Sequence, residues 1–340
     1  MTETAALNHT SVTGALLGLH ALTSLHPGSG TALGAVDLPV QRERHTCWPM
    51  IPGSAIKGVL RDACRERVKD EFQDDGAEVP KEKRKTRRDH ANEQAQLVQV
   101  FGPPSGHADE HAGALSVTDA RLLAFPVRSL RGLFAWVTCA EALNRLQRDA
   151  TLAHQEITWR AIEPVSPNSA EVAPGSPCLD PSGKHLVLEE FDFAVAGTAV
   201  SEPAGWIASN ILPAGAAHDA IRARFPRCCV LLNDDDFTHF VRHATEVTAR
   251  VGLDYETKTV REGALFYQEF LPAECIFYSV ILANQGRLKT GGVGSVEILD
   301  FLSDHLTKVK VLQIGGDETT GRGYCATRLN RFSHEQEVLS

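Results

Sequence analysis

Strand-like and helix-like periodicities interleave along this chain without the regular strand–helix–strand repeat of a doubly wound sheet. That irregular order favours an α+β fold. Residues 14–26 (GALLGLHALTSLH) alternate as a strand, with Leu17, Leu19, Ala21 and Leu25 on one face and His20, Ser24 and His26 on the other. A glycine-rich turn at 27–30 and an irregular stretch through Pro52 follow, and Gly53 or Ser54 reads as a helix N-cap. The next segment places Ile56, Leu60, Ala63, Cys64 and Phe72 at helical spacing, with Lys57, Arg61 and Arg65 as a basic stripe on another face. Residues 73–95 are almost wholly polar and read as a charged mobile insertion, partly helical. Residues 114–139 read as a strand, a loop at PVRS and a second strand, and AEALNRLQRDA reads as the helix after them. The Pro-rich stretch 163–183 reads as loop. A long hairpin follows, with a polar tip at 255–263, and then the buried strand CIFYSVIL. KVKVLQIGGDETTGRGYCATRL gives a strand, a glycine-rich loop and a last short strand. No internal repeat is visible.

Composition closes off several function classes. At 43% hydrophobic and 23% charged residues the chain is ordinary globular material. No apolar run approaches the length of a membrane span, and Met1–Ser11 has no basic-then-apolar signal pattern. The eight cysteines are scattered without a C-x-x-C pair, which argues against structural zinc and for reduced thiols in a cytoplasmic protein. The net charge of -9 speaks against nucleic acid only as a global sum, because a binding groove is local. Six of the eight residues from Lys81 to Arg88 are basic.

Three segments could carry chemistry. In Gly315-Gly316-Asp-Glu-Thr-Thr320-Gly321-Arg322-Gly323, glycines let backbone N–H groups approach phosphate oxygens and Arg322 adds a charge. Its spacing nearly matches a nucleotide-binding P-loop, but Arg322 and Gly323 replace the lysine and hydroxyl residue, and no long helix follows. The alternative is a tight loop between two strands. The basic stripe at a helix start is an anion site or a solvated face. The loop from His26 to His45 gathers Asp37, Arg42 and Arg44, which suits phosphate contacts and proton or metal chemistry, or a salt-bridged loop.

The blocks HPGSG, GAVDLPVQRERHT, PMIPGSAIKGVLRDACR, DARLLAFPVRSLRGLFAWVTC, TKTVREGALFYQEFLP and GGDETTGRG stand in one order along the chain. Together they resemble the RAMP superfamily, and within it the backbone-subunit family of type III-B CRISPR effectors, the fourth subunit of the Cmr complex. The resemblance spans nearly the whole chain and says least over 73–95 and 163–183. It implies a single domain over 1–340 with a ferredoxin-like, RRM-type palm, an inserted finger region and a long β-hairpin thumb at 250–272.

The same resemblance implies a function. Copies would stack head to tail in a helical array along a guide CRISPR RNA beside other Cmr subunits, with no membrane. The thumb would displace one nucleotide per subunit in complementary target RNA, and the strand would be cut there through its 2′-hydroxyl. Asp37 matches the family's catalytic aspartate, acting as a base or holding a divalent cation, Mg2+ or Mn2+. His26 and Glu269 are further catalytic candidates, unless His26 caps its own turn and Glu269 pairs with a cation on the facing strand. The RNA-binding candidates are Ser54, Lys57, Arg61, Thr257, Lys258, Gly315, Gly316, Thr320, Gly321, Arg322 and Gly323. The same filament subunit without cleavage, a guide-binding scaffold, is the alternative.

Overall fold

The apolar run at 275–282 lies where its composition requires, in the middle of a twelve-stranded mixed sheet. A computed structural model describes residues 12–31, 36–76, 78–104, 111–287 and 291–331. The polar segment Met1–Ser11, and Gly34 and Ala35 of the irregular stretch, lie outside the described residues.

In chain order the first half comprises β1 (Thr13–Ala21), β2 (Met50–Ile51), α1 (Gly53–Val68), α2 (Arg87–Asn92), α3 (Ala95–Phe101), β3 (Leu115–Val117), β4 (Ala120–Arg128), β5 (Phe134–Cys139) and α4 (Ala140–Ala150). Then come β6 (Ser169–Val172), β7 (His185–Leu188), β8 (Phe191–Gly197), α5 (Ser201–Asn210), α6 (Asp219–Cys228), β9 (Cys229–Leu232) and α7 (Asp234–His243). The last third holds β10 (Glu246–Leu253), β11 (Val260–Phe270), β12 (Ile276–Ala283), α8 (Ser295–Lys308), β13 (Val311–Gln313) and β14 (Tyr324–Arg331).

Within the sheet, β14, β1, β12 and β4 are adjacent and antiparallel. Taken with α1 and α8 they run β1–α1–β4–β12–α8–β14, the split βαββαβ order of a ferredoxin-like palm. Everything from β5 to β11 is inserted between its second and third strands. The sheet continues through β5, β9, β6, β8 and β7, with parallel pairs at β5–β9 and β6–β8.

The strand predicted over 14–26 stops at Ala21, and both of its faces are buried. One face meets α8 and the other meets the segments at 150–153 and 210–212. Gly18 shows how close that second contact is, since a Cβ there would stand 2.1 Å from the Ile211 carbonyl oxygen. After Ala21 the chain bends, and Leu25 rejoins as a lone bridge to Leu271.

Four local expectations are corrected. Neither Gly53 nor Ser54 supplies a cap; Pro52 stands at the N-cap position and the Gly53 N–H donates to Asp119 Oδ1 at 2.7 Å. PVRS is not a loop: Pro126 to Arg128 belong to β4, and the turn falls after them. Pro126 is tolerated because pairing with β12 ends at Ala124, leaving one edge of β4 with no ladder to supply. The Pro-rich stretch contains β6, four residues whose Ala170 and Val172 are buried between β8 and β9. The hairpin's tip is shorter than predicted, and its strands reach back to Glu246 and forward to Phe270.

The charged insertion is partly helical. Thr86 and Asp89 form a capping box at the start of α2. Lys85 pairs with Glu93, Arg87 with Asp70 and Arg88 with Asp62, so much of the basic run faces acids of its own chain.

Candidate nucleic-acid interface

The hairpin β10–β11 stands outside the main sheet, and three other segments are fastened to its root. First, residues 37–40 lie alongside β11 as a short parallel strip. The Leu38 N–H donates to Tyr267 O at 3.0 Å, and the Glu269 N–H donates to Leu38 O at 3.0 Å. The exposed Asp37 is held at this point, its Oδ2 accepting from the Tyr267 N–H at 2.7 Å. Among the described residues only this one carboxylate oxygen is engaged, so the group keeps acceptor capacity toward solvent.

Second, Glu269 has both oxygens engaged. Oε1 accepts from Arg42 at 2.5 Å and Oε2 from the Val40 N–H at 3.0 Å. Arg42 also donates to the carbonyls of Cys47 and Val241. The cation on Glu269 therefore comes from the 36–49 loop rather than from the facing strand. His26 is buried beside this pair, with Nδ1 2.7 Å from the Glu269 carbonyl and its ring against Phe270. Since a carbonyl only accepts, Nδ1 carries the proton in that bond.

Third, the glycine-rich loop between β13 and β14 docks on the same root. The Gly316 N–H donates to His26 O at 3.1 Å and the Gly323 N–H to Ser24 O at 2.9 Å. Gly315, at φ +86°, approaches so closely that a Cβ would lie 2.3 Å from the His26 carbonyl oxygen. Asp317 accepts from Arg250 at 2.8 Å and from Gln268 at 2.6 Å. Thr320 Oγ1 donates to the Asp317 carbonyl, and Gly321 continues the turn in a left-handed conformation. Arg322 lies over the Phe270 ring and 3.6 Å from Glu246.

His26, Asp37, Glu269 and the glycine-rich loop are thus brought together. Thr257 and Lys258 are not. They sit at the hairpin tip, where Thr257 bonds Asp254 and Lys258 covers the Tyr255 ring, roughly 25 Å away at strand rise. Between tip and root the outer face is apolar and open. Val247, Ala249, Val251, Leu265 and Tyr267 alternate onto it and are exposed. So much apolar surface on a protruding element marks a contact face.

The basic stripe of α1 divides in two. Arg65 is neutralised by Asp62. Lys57 and Arg61 instead donate to the carbonyls of Leu115 and Pro103, and no carboxylate pairs with either among the described residues. Burial holds the Lys57 ammonium below its usual pKa, and the charges of Arg61 and Arg287 add to this. Arg287 is exposed and unpartnered among the described residues, a third cation that sequence spacing could not connect to α1. Ser54 is exposed in the first turn of the same helix. A cleft of about 360 Å³ separates α1 from the glycine-rich loop, lined by Gly58, Asp62, Gln313 and Glu318.

Among the described residues no group of three His, Cys, Asp or Glu side chains could hold a metal ion. A hydrated divalent cation takes one or two carboxylates together with substrate phosphates. Asp37 is exposed with one oxygen free and fits such a requirement. No helix among the described residues is long and apolar enough to cross a membrane.

Comparison with known proteins agrees with this architecture. The sequence profile of the RAMP superfamily matches residues 19–326. The CRISPR system Cmr endoribonuclease Cmr4 of Pyrococcus furiosus is 35% identical over 94% of this chain and 96% of its own. The CRISPR system CMR subunit Cmr4 of Saccharolobus solfataricus is 23% identical, over 91% and 94%. A crystal structure of oligomeric Cmr4 from Pyrococcus furiosus superposes with a TM-score of 0.65 at 28% identity, covering 95% of this chain and all of that one.

Proposed function

This chain belongs to the RAMP superfamily and, within it, to the Cmr4 family, and from that premise we propose that it is a repeated, RNA-cleaving backbone subunit of a type III-B CRISPR effector in the cytoplasm. The observation that carries the proposal is the placement of Asp37 at the root of a protruding hairpin with an open apolar face. Such a hairpin can insert between bases and hold a nucleotide out of the stack, bringing its backbone to the carboxylate. Lys57, Arg61 and Arg287 supply a positive surface for guide phosphates, while the glycine-rich loop, whose Gly316, Thr320, Gly321, Arg322 and Gly323 N–H groups bond carbonyls of the chain itself, lends a close-fitting wall rather than those donors. Ser54 is a hydroxyl donor beside them. A reader of this kind contacts backbone and leaves sequence to base pairing.

The chemistry asks little of the protein. RNA brings its own nucleophile, and cleavage requires the 2′-hydroxyl to be aligned with the phosphorus opposite the leaving 5′-oxygen. Asp37 accepts the hydroxyl proton or holds a divalent cation, magnesium or manganese. When bound, such an ion would supply positive charge at the phosphate. Glu269 and His26 act as positioning residues, because their polar atoms fasten the loop that presents Asp37. Eight free thiols suit a reducing compartment.

The products test this reading. Cut target RNA should end in a cyclic phosphate with a 5′-hydroxyl on the other fragment, and a single 2′-deoxy substitution at a cut site should abolish that cut alone. Continued cleavage at the deoxy position would rule out 2′-hydroxyl attack. Tight target binding with no cleavage at any site would leave a scaffold.

A further inference from the structure

Away from the hairpin root, a cleft of about 260 Å³ opens beside β14. β13 pairs with β14 only as far as Ala326, so among the described residues no strand lies beside that edge from Thr327 onward. The Thr327 N–H donates to the Lys310 carbonyl at this edge, and strand alternation turns the Leu329 N–H the same way. The last turns of α8 form one wall and the loop before α6 the other.

Among the described residues three basic side chains line the cleft, His218, Lys310 and Arg328, and no carboxylate does. Lys310 and the His218 ring have no partner among the described residues, while Arg328 gives one N–H to the Leu212 carbonyl at 3.1 Å. The acid beside His218 in sequence, Asp219, faces Arg222 at 3.7 Å. His218 and Lys310 stand close enough for the charge of one to act on the other. Burial lowers the pKa of His218, with His20 and Lys310 adding to it, and Arg328 is lowered by burial and by Arg222. Hydroxyls of Ser303 and Thr327 stand among these charges, and Pro213 and Leu306 give the cleft an apolar side.

We propose that this cleft binds a terminal phosphate monoester, carried by a free mononucleotide or by an RNA end. Lys310 and Arg328 offer a dianion two charged donors, the His218 ring, the Ser303 hydroxyl and the Leu329 N–H add further donors, and the ester's organic part rests on Pro213 and Leu306. The assignment is independent of cleavage and does not rest on Asp37.

Calorimetric titration of the full chain with AMP, and with one RNA oligonucleotide prepared with phosphorylated or hydroxyl ends, tests it. Lys310→Gln and His218→Gln should each weaken the phosphate-dependent binding about tenfold, the scale of one charge-assisted hydrogen bond. Lys308→Gln, at the end of α8 but outside the cleft lining, should leave it unchanged. AMP binding with no preference between the two RNAs identifies a free nucleotide as the ligand. A preference for the phosphorylated RNA, lost in both cleft variants, identifies an RNA end. The proposal is overturned if neither phosphate source binds, or if both cleft variants bind as the wild type does.

Discussion

Glu269 ties two segments together through one carboxylate, which separates its role from that of Asp37. Removing it strands Arg42 in a half-buried site, and breaking such a pair typically costs about 3–5 kcal/mol. Glu269→Ala should therefore lower the melting temperature by several degrees, whereas Asp37→Asn, exposed and similar in volume, should barely move it. Equal thermal shifts in the two variants would contradict this division. Lys57 keeps its charge without an acidic partner, so Lys57→Ala should weaken guide binding irrespective of guide sequence. The slope of log affinity against log salt should fall by about 0.7, the value for one contact to a single strand. A loss confined to particular guides would argue against a phosphate contact. At this scale the sequence was informative about which residue types gather between His26 and His45 but silent about their partners. That Glu269 takes Arg42, and that Arg287 stands near Lys57, depends on contacts across more than two hundred residues.

At the scale of elements, the glycine-rich loop is held by closeness rather than by glycine content alone. Gly315→Ala would force a Cβ into the His26 carbonyl and strain a positive φ at the same residue. It should cost about 1–3 kcal/mol and weaken guide binding together with cleavage, because the loop and the Asp37 strip share the same root. Unchanged stability and guide binding would mean that the loop does not dock as described. The long periodic elements were legible: α4 matches its predicted segment, and the hairpin and the buried strand at 275–282 stand in their predicted places. The short ones were not. β6 hides among prolines because four residues carry too little period to register, and the start of α1 is capped by Asp119, sixty-six residues away.

At the scale of the whole molecule, the resemblance supplied the palm topology, which local patterns cannot give because long insertions separate its strands. The net charge of -9 is compatible with RNA binding because charge is local: Lys85, Arg87 and Arg88 of the basic run pair with acids of their own chain, while Lys57, Arg61 and Arg287 do not among the described residues. The hairpin's apolar face is exposed among the described residues and suits bases of a threaded duplex. The most direct measurement is a cut map. The complex is assembled with a defined guide, and a complementary labelled RNA is cleaved with wild-type or Asp37→Asn subunits. The account predicts regularly spaced cuts, one per subunit, all absent in the variant while guide and target remain bound. Cuts that persist with Asp37→Asn would place the chemistry elsewhere and contradict it.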